Sequence, residues 1–130
     1  MGLKTIIGDT LVDIDLDATQ KWYEKTLEWD CACADCRRFI EAAKGKKLPE
    51  YTLKVLQELD IPPEKATYVC LLDGKDLYEY CYRIVGKVIE KVSVDPVANC
   101  RCELEHPCPS FEFPTPYFDI VFYDEIFYRP

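Results

Sequence analysis

The chain has 130 residues, of which 48% are hydrophobic and 31% charged, and its formal net charge is −8. This length and composition predict a single folded domain over residues 1–130 and argue against a disordered tail. The excess of carboxylates argues against nucleic-acid binding, and no segment approaches the ~18 consecutive apolar residues of a membrane span.

The first predicted element is a strand over residues 10–16, where apolar and polar residues alternate. The next segment, residues 20–29, fits either of two structures. Tyr23, Leu27 and Trp29 would share one face of a strand, whereas Asp17 with Gln20 would form a helix capping box. Because the apolar residues would scatter around a helix axis, we favour a strand and hence an N-terminal hairpin.

Two helices are predicted in the middle of the chain. The first spans residues 33–44, ends at Gly45, and carries a stripe of residues at helical spacing: Cys36, Phe39, Ile40 and Ala43. The second begins at Leu48-Pro49 and is stopped by Pro62-Pro63. Its predicted buried face consists of Leu48, Val55, Leu56 and Leu59.

The second half is predicted to be mostly β-structure. Strands over residues 66–72 and 77–90 flank the turn Asp73-Gly74 and form a hairpin. Residues 94–116 carry five prolines and predict an irregular loop with a short strand at 111–113, and residues 117–128 alternate as a final strand. The predicted fold class is α+β: an antiparallel sheet of about five strands with two short helices packed on one face.

The first cysteine cluster consists of Cys31, Cys33 and Cys36, three thiols within six residues. At the start of a helix these sulfurs could converge, and a tetrahedral zinc site needs four such ligands. A second cluster holds Cys100, Cys102, His106 and Cys108, the last two separated by Pro107. It could supply the fourth ligand, or it could bind a metal by itself as a Cys3His site. Zinc is therefore the cofactor that we expect.

A redox function is the alternative for the same atoms. Cys33 and Cys36 form a C-x-x-C motif at a predicted helix N-terminus, where the helix dipole and Arg37 or Arg38 would stabilise a thiolate. Asp30 and Asp35 would oppose that effect, because nearby negative charge disfavours ionisation. The preceding strand pattern also lacks the βαβ arrangement of a thioredoxin-like domain.

The other chemistry in the sequence is sparse. Cys70 and Cys81 lie in predicted strands among Tyr, Val and Leu, where cysteine packs as a small hydrophobe. His106 lies in a proline-rich loop without an evident orienting partner, so it is a poor candidate for the base of a cysteine nucleophile. We therefore expect no catalytic residues. A protein-interaction domain without an active thiol, built on an aromatic-rich sheet, is a third interpretation.

The N-terminal segment lacks the long apolar stretch of a secretion signal, which predicts a cytoplasmic protein whose cysteines begin as thiols. Several segments resemble a family of small bacterial proteins of unknown function: Trp22 to Phe39 with its W-D-C-x-C-x-x-C-R-x-F pattern, Val55 to Lys65, Tyr80 to Ile89, and Phe113-Pro114. The resemblance covers most of the chain from residue 22 and implies a function for Cys31, Cys33 and Cys36. It brings no activity, substrate or cofactor with it.

Overall fold

The computed structural model describes residues 2–27, 33–92, 100–104 and 113–127. Within them the chain forms six strands, three α-helices and one 3₁₀ turn. The strands are β1 (Gly2–Ile7), β2 (Thr10–Asp15), β3 (Tyr68–Leu71), β4 (Leu77–Lys91), β5 (Cys100–Glu103) and β6 (Tyr117–Glu125). The helices are α1 (Leu16–Lys25), α2 (Ala34–Lys44) and α3 (Glu50–Leu59), and the 3₁₀ turn is Pro63–Lys65. The α+β prediction is confirmed.

All strand pairs are antiparallel, in the order β1-β2-β4-β6-β5, and β3 also pairs with β4. β4 is long enough to pair with β3 and β6 through its first half and with β2 through its second half. The sheet curls so that the β1–β2 turn approaches β5, and a methyl group on Gly8 would lie 2.8 Å from the Cys100 carbonyl oxygen.

Alternate residues of the central strands define a buried inner face of the sheet. Tyr78, Tyr80, Tyr82 and Ile84 of β4 lie beside Phe118, Ile120 and Phe122 of β6 on this face. Helices α2 and α3 pack on it, since the Phe39 ring lies 4.9 Å from that of Tyr80 and the Thr52 hydroxyl is 2.9 Å from the Tyr80 hydroxyl. The helix boundaries of α2 and α3 and the buried residues predicted for α3 are confirmed.

The strand predicted over residues 20–29 is wrong, because its described part lies in and just after helix α1. The Asp15 carboxylate caps this helix by accepting the Ala18 N–H at 3.0 Å, and the buried positions Thr19 and Tyr23 are spaced i, i+4. The helix that was the alternative interpretation is thus the observed structure, and its N-cap is Asp15 and not Asp17. The N-terminal hairpin is formed instead by β1 and β2.

Helix α1 covers the edge of β4 between β3 and β2. The Thr19 hydroxyl oxygen accepts the Val85 N–H at 3.1 Å, and the Tyr23 hydroxyl donates to the Arg83 carbonyl at 2.8 Å. Side chains of α1 thus satisfy backbone groups that would otherwise be buried without a strand partner. No helix among the described residues has the length and apolar character needed to cross a membrane.

Candidate functional site: the thiols at the start of helix α2

Cys33 is the N-cap residue of α2. Its backbone is extended, with φ −70° and ψ 155°, and its Sγ accepts the backbone N–H of Cys36 at 3.4 Å. The first N–H groups of a helix have no partner within the helix and carry the positive end of its dipole. The sulfur of Cys33 therefore occupies the position where a negative charge is stabilised by the backbone.

The two described thiols of the first cluster differ in exposure. Cys33 is exposed, whereas Cys36 is 7% exposed and belongs to the hydrophobic core together with Phe39 and Ile40. One helical turn thus presents one sulfur to solvent and turns the next toward the inside of the protein. Cys31, the third member of the cluster, lies outside the described residues.

Three charged residues, Asp35, Arg37 and Arg38, lie in or next to this turn. The exposed Asp35 lies in the first turn of α2, and its carbonyl accepts the Tyr78 hydroxyl at 2.8 Å. The Arg38 guanidinium donates to the Lys75 and Ile126 carbonyls at 2.9 and 3.2 Å. It also forms an ion pair with Asp76 at 3.2 Å. Of the two arginines expected to stabilise a thiolate, Arg38 therefore has other partners and Arg37 is exposed.

The second cysteine cluster begins in a strand and not in the irregular loop that its prolines predict. Cys100 and Cys102 lie on β5, opposite Phe122 and Ile120 of β6, and both face the inner side of the sheet. The Cys102 thiol donates weakly to the Ile7 carbonyl, with 3.9 Å between sulfur and oxygen. The strand was missed because its four residues combine two cysteines with two charged side chains. His106, Cys108 and the short strand predicted at 111–113 fall wholly or mainly outside the described residues.

Burial raises the pKa of the Cys100 and Cys102 thiols to about 12. The second cause for Cys100 is the neighbouring Cys102, and for Cys102 it is Asp9, since negative charge disfavours a thiolate. Both residues are therefore neutral thiols near pH 7. To bind a metal, each of these two thiols would have to lose its proton, and the raised pKa makes that loss unfavourable.

We expect Cys100 and Cys102 to be nearly inert to iodoacetamide in the folded protein at pH 8. A shift of the pKa from 9 to about 12 lowers the thiolate fraction, and hence the alkylation rate, about a thousandfold. The folded-state rate should rise about tenfold per pH unit up to pH 11, whereas the rate in the urea-unfolded chain levels off above pH 9. Mass spectrometry of peptides after timed labelling measures both rates. Equal rates in the folded and unfolded chains would contradict the burial of these thiols.

Because folding raises these two pKa values, the unfolded chain releases protons first as the pH increases. The thiols therefore leave stability unchanged below about pH 9 and reduce it progressively between pH 9 and 12.

Among the described residues, no three His, Cys, Asp or Glu side chains are grouped so that they could hold a metal ion. Cys33, Cys36, Cys100 and Cys102 accordingly do not assemble into one four-thiol site. The ligand sets that include Cys31, His106 or Cys108 extend beyond the part of the chain that the structure describes.

The remaining described cysteines lie on β3 and β4. Cys81 is fully buried, which confirms the prediction that it packs as an apolar residue. Cys70 is only partly buried, and its thiol lies 3.7 Å from the Leu71 carbonyl oxygen.

A buried ion pair on the outer face of the sheet was not predicted. Arg83 donates from Nε and Nη2 to the two carboxylate oxygens of Asp119 at 3.0 and 3.1 Å, and the side chains are 8% and 0% exposed. The guanidinium also lies 4.3 Å from the centre of the Tyr117 ring. Their positions within otherwise apolar strands were the available signal, because a charge there needs a partner.

Comparisons with protein-family profiles, with curated proteins and with solved structures gave no match.

Proposed function

We propose that this protein is a non-enzymatic domain that binds a zinc-type metal ion through Cys31, Cys33 and Cys36. The observation that carries the proposal is the hydrogen bond from the Cys36 N–H to the Cys33 sulfur at the start of α2. Backbone N–H groups directed at sulfur favour its anionic form, which is the form that coordinates a metal. The first cluster also contains one thiol more than a dithiol exchange requires.

The local charges support a metal more than an isolated thiolate. Asp35 disfavours ionisation of a nearby thiol, and Arg38 is committed to Asp76 and to backbone carbonyls. A divalent cation reverses this balance, because it attracts both thiolates and carboxylates and is itself the largest charge in its site. The formal net charge of −8 acts in the same direction.

The fourth ligand would come from His106 or Cys108. Cys100 and Cys102 are weaker donors, since burial raises the pKa of both thiols to about 12 and Cys102 contacts the Ile7 carbonyl of β1. A neutral imidazole binds zinc without releasing a proton, whereas Cys100 and Cys102 would first have to lose one.

Native mass spectrometry of the full chain tests the proposal. We expect one zinc per chain after expression with zinc, and loss of the metal with excess chelator. Cys33→Ser and Cys36→Ser should each weaken zinc binding at least about a hundredfold, because each removes one of only four ligands. Cys70→Ser is the matched control, since Cys70 lies on β3 and should leave the metal content unchanged. A fully folded wild-type protein that takes up no zinc would contradict the proposal.

Dithiol exchange is the second candidate, and the contrast between exposed Cys33 and buried Cys36 favours it. Oxidised glutathione would accept two electrons from the two thiols. A Cys33–Cys36 disulfide would form, and two molecules of reduced glutathione would leave with the two protons. In the same experiment, this function gives metal-free protein whose mass falls reversibly by two hydrogens between Cys33 and Cys36. Protein that shows neither zinc nor this mass change fits an interaction domain without an active thiol.

A further inference from the structure

A cavity of about 530 Å³ lies at the C-terminal end of α3, and its lining contains no described cysteine. It is bounded by the last turns of α3, by Lys46 in the α2–α3 connection and by the segment that leads into the 3₁₀ turn. Its volume is within the range of small-molecule sites in proteins.

The cavity combines an apolar side with a charged rim. Leu53, Leu56 and Ile61 line it, and Leu56 and Ile61 belong to the hydrophobic core, so this wall is anchored. Asp60 and Glu64 contribute two carboxylates, and Lys46 contributes one ammonium group. The rim is therefore negative overall.

The end of helix α3 adds to this negative potential. Helices α1 and α2 each carry a lysine in the last turn, Lys25 and Lys44, which complements the helix dipole. Helix α3 has no basic residue in its last turn. The partial negative charge at the C-terminal end of α3 is therefore not offset by a basic residue in that turn.

The backbone keeps two of these charged residues in an unusual conformation. Among the described residues, Lys46 and Asp60 are the only ones other than glycine with positive φ, at 58° and 56°. Both follow helix ends, where glycine is the usual residue in this conformation. Each position thus keeps a charged side chain at the cavity in a left-handed conformation, which Asp tolerates better than Lys does.

We propose that this cavity binds a small organic amine that has an apolar body. The ammonium group would lie against the Asp60 and Glu64 carboxylates at the end of α3, and the apolar body would contact Leu53 and Ile61. Lys46 would limit the affinity for a plain amine through charge repulsion. Binding is non-covalent and requires no metal.

Three probes of nearly equal shape test the charge requirement: 2-phenylethylamine, 2-phenylethanol and 3-phenylpropionate. Each is titrated into the full ¹⁵N-labelled chain at pH 7, with amide shifts followed by NMR. We expect saturable shifts at Ile61 and Glu64 with the amine, and at least about tenfold weaker binding of the alcohol and the carboxylate. Equal affinities for the three probes, or no saturable shift with the amine, would overturn the proposal.

Charge-neutral variants test the named residues. Asp60→Asn keeps a residue type that tolerates positive φ, and with Glu64→Gln it should weaken amine binding about fivefold per substitution. Lys46→Gln should tighten it about threefold, which distinguishes an amine from a zwitterionic ligand, for which binding would weaken. Glu90→Gln is the control, because Glu90 is an exposed residue of β4 that does not line the cavity. It should leave the affinity for the amine unchanged. If Asp60→Asn and Glu64→Gln fold normally and bind the amine as the wild type does, the proposal is wrong.

Discussion

Replacing Gly86 with alanine should destabilise the protein by about 3 kcal/mol or more, because the added methyl group has no space. A Cβ at this position would lie 2.2 Å from the Asp13 carbonyl oxygen and 3.0 Å from the Ile14 Cα, both of which are backbone atoms of β2. Gly86 is also the point where β4 changes partners, since it pairs with Ile14 and donates its N–H to the Pro116 carbonyl at 3.0 Å. Relief of the contact would require β2 to separate from β4.

The free energy of unfolding in urea measures this effect, and Gly74→Ala is the matched control. Gly74 also has a positive φ of 71°, but a Cβ there meets nothing within 4 Å. The control should therefore cost only the strain of a left-handed residue, about 1 kcal/mol. Similar losses for the two variants would show that crowding at Gly86 is not what makes that position sensitive.

Removal of one partner of the buried ion pair should have the second large effect. Arg83→Met leaves the Asp119 carboxylate, which is 0% exposed, without the guanidinium that donates to both of its oxygens. An uncompensated buried charge costs about 3 to 5 kcal/mol, and we expect Arg83→Met to lower the free energy of unfolding by that amount. Asp119→Leu should have an effect of similar size, since it removes the carboxylate that accepts both hydrogen bonds from the buried guanidinium.

The double variant, Arg83→Met with Asp119→Leu, separates the pairing from the packing. Because two apolar side chains have no desolvation cost, the double variant should recover most of the loss and show strong coupling in a double-mutant cycle. Additive losses would mean that each side chain acts through other contacts, such as the stacking of Arg83 on the Tyr117 ring. Circular dichroism would confirm that the variants retain the fold.

The ion pair between Arg83 and Asp119 lies on the outer face of the sheet and is buried there because each charge neutralises the other. Val121 and Cys81 are fully buried beside the ion pair, so the central strands have apolar neighbours on both faces. Around the ion pair, side chains on both faces of β4 and β6 therefore pack against other residues and not against solvent. Helix α2 packs on this β4–β6 pair through the contact of Phe39 with Tyr80. The same contact fixes the position of Cys33 and Cys36 at the start of the helix.

The sequence by itself determined the elements whose signals are local. The apolar stripe of α2, the buried residues of α3, the turn at Asp73-Gly74 and the alternation of β6 all depend on the spacing of neighbouring residues. The placement of Cys33 and Cys36 at the start of a helix followed from the same periodicity. Local hydrogen bonds and burial of one face depend on residues a few positions apart. The spacing of apolar and polar residues in the sequence therefore predicts these elements.

Only the tertiary structure decided the elements whose stability comes from distant partners. Helix α1 is held by its N-cap Asp15 and by contacts of Thr19 and Tyr23 with β4 residues that lie 66 and 60 positions away along the chain. Strand β5 has a poor strand composition and exists because β6 offers it a paired edge. The protonation of Cys100 and Cys102 and the pairing of Arg83 with Asp119 likewise depend on burial, which is a property of the assembled fold and not of any short segment.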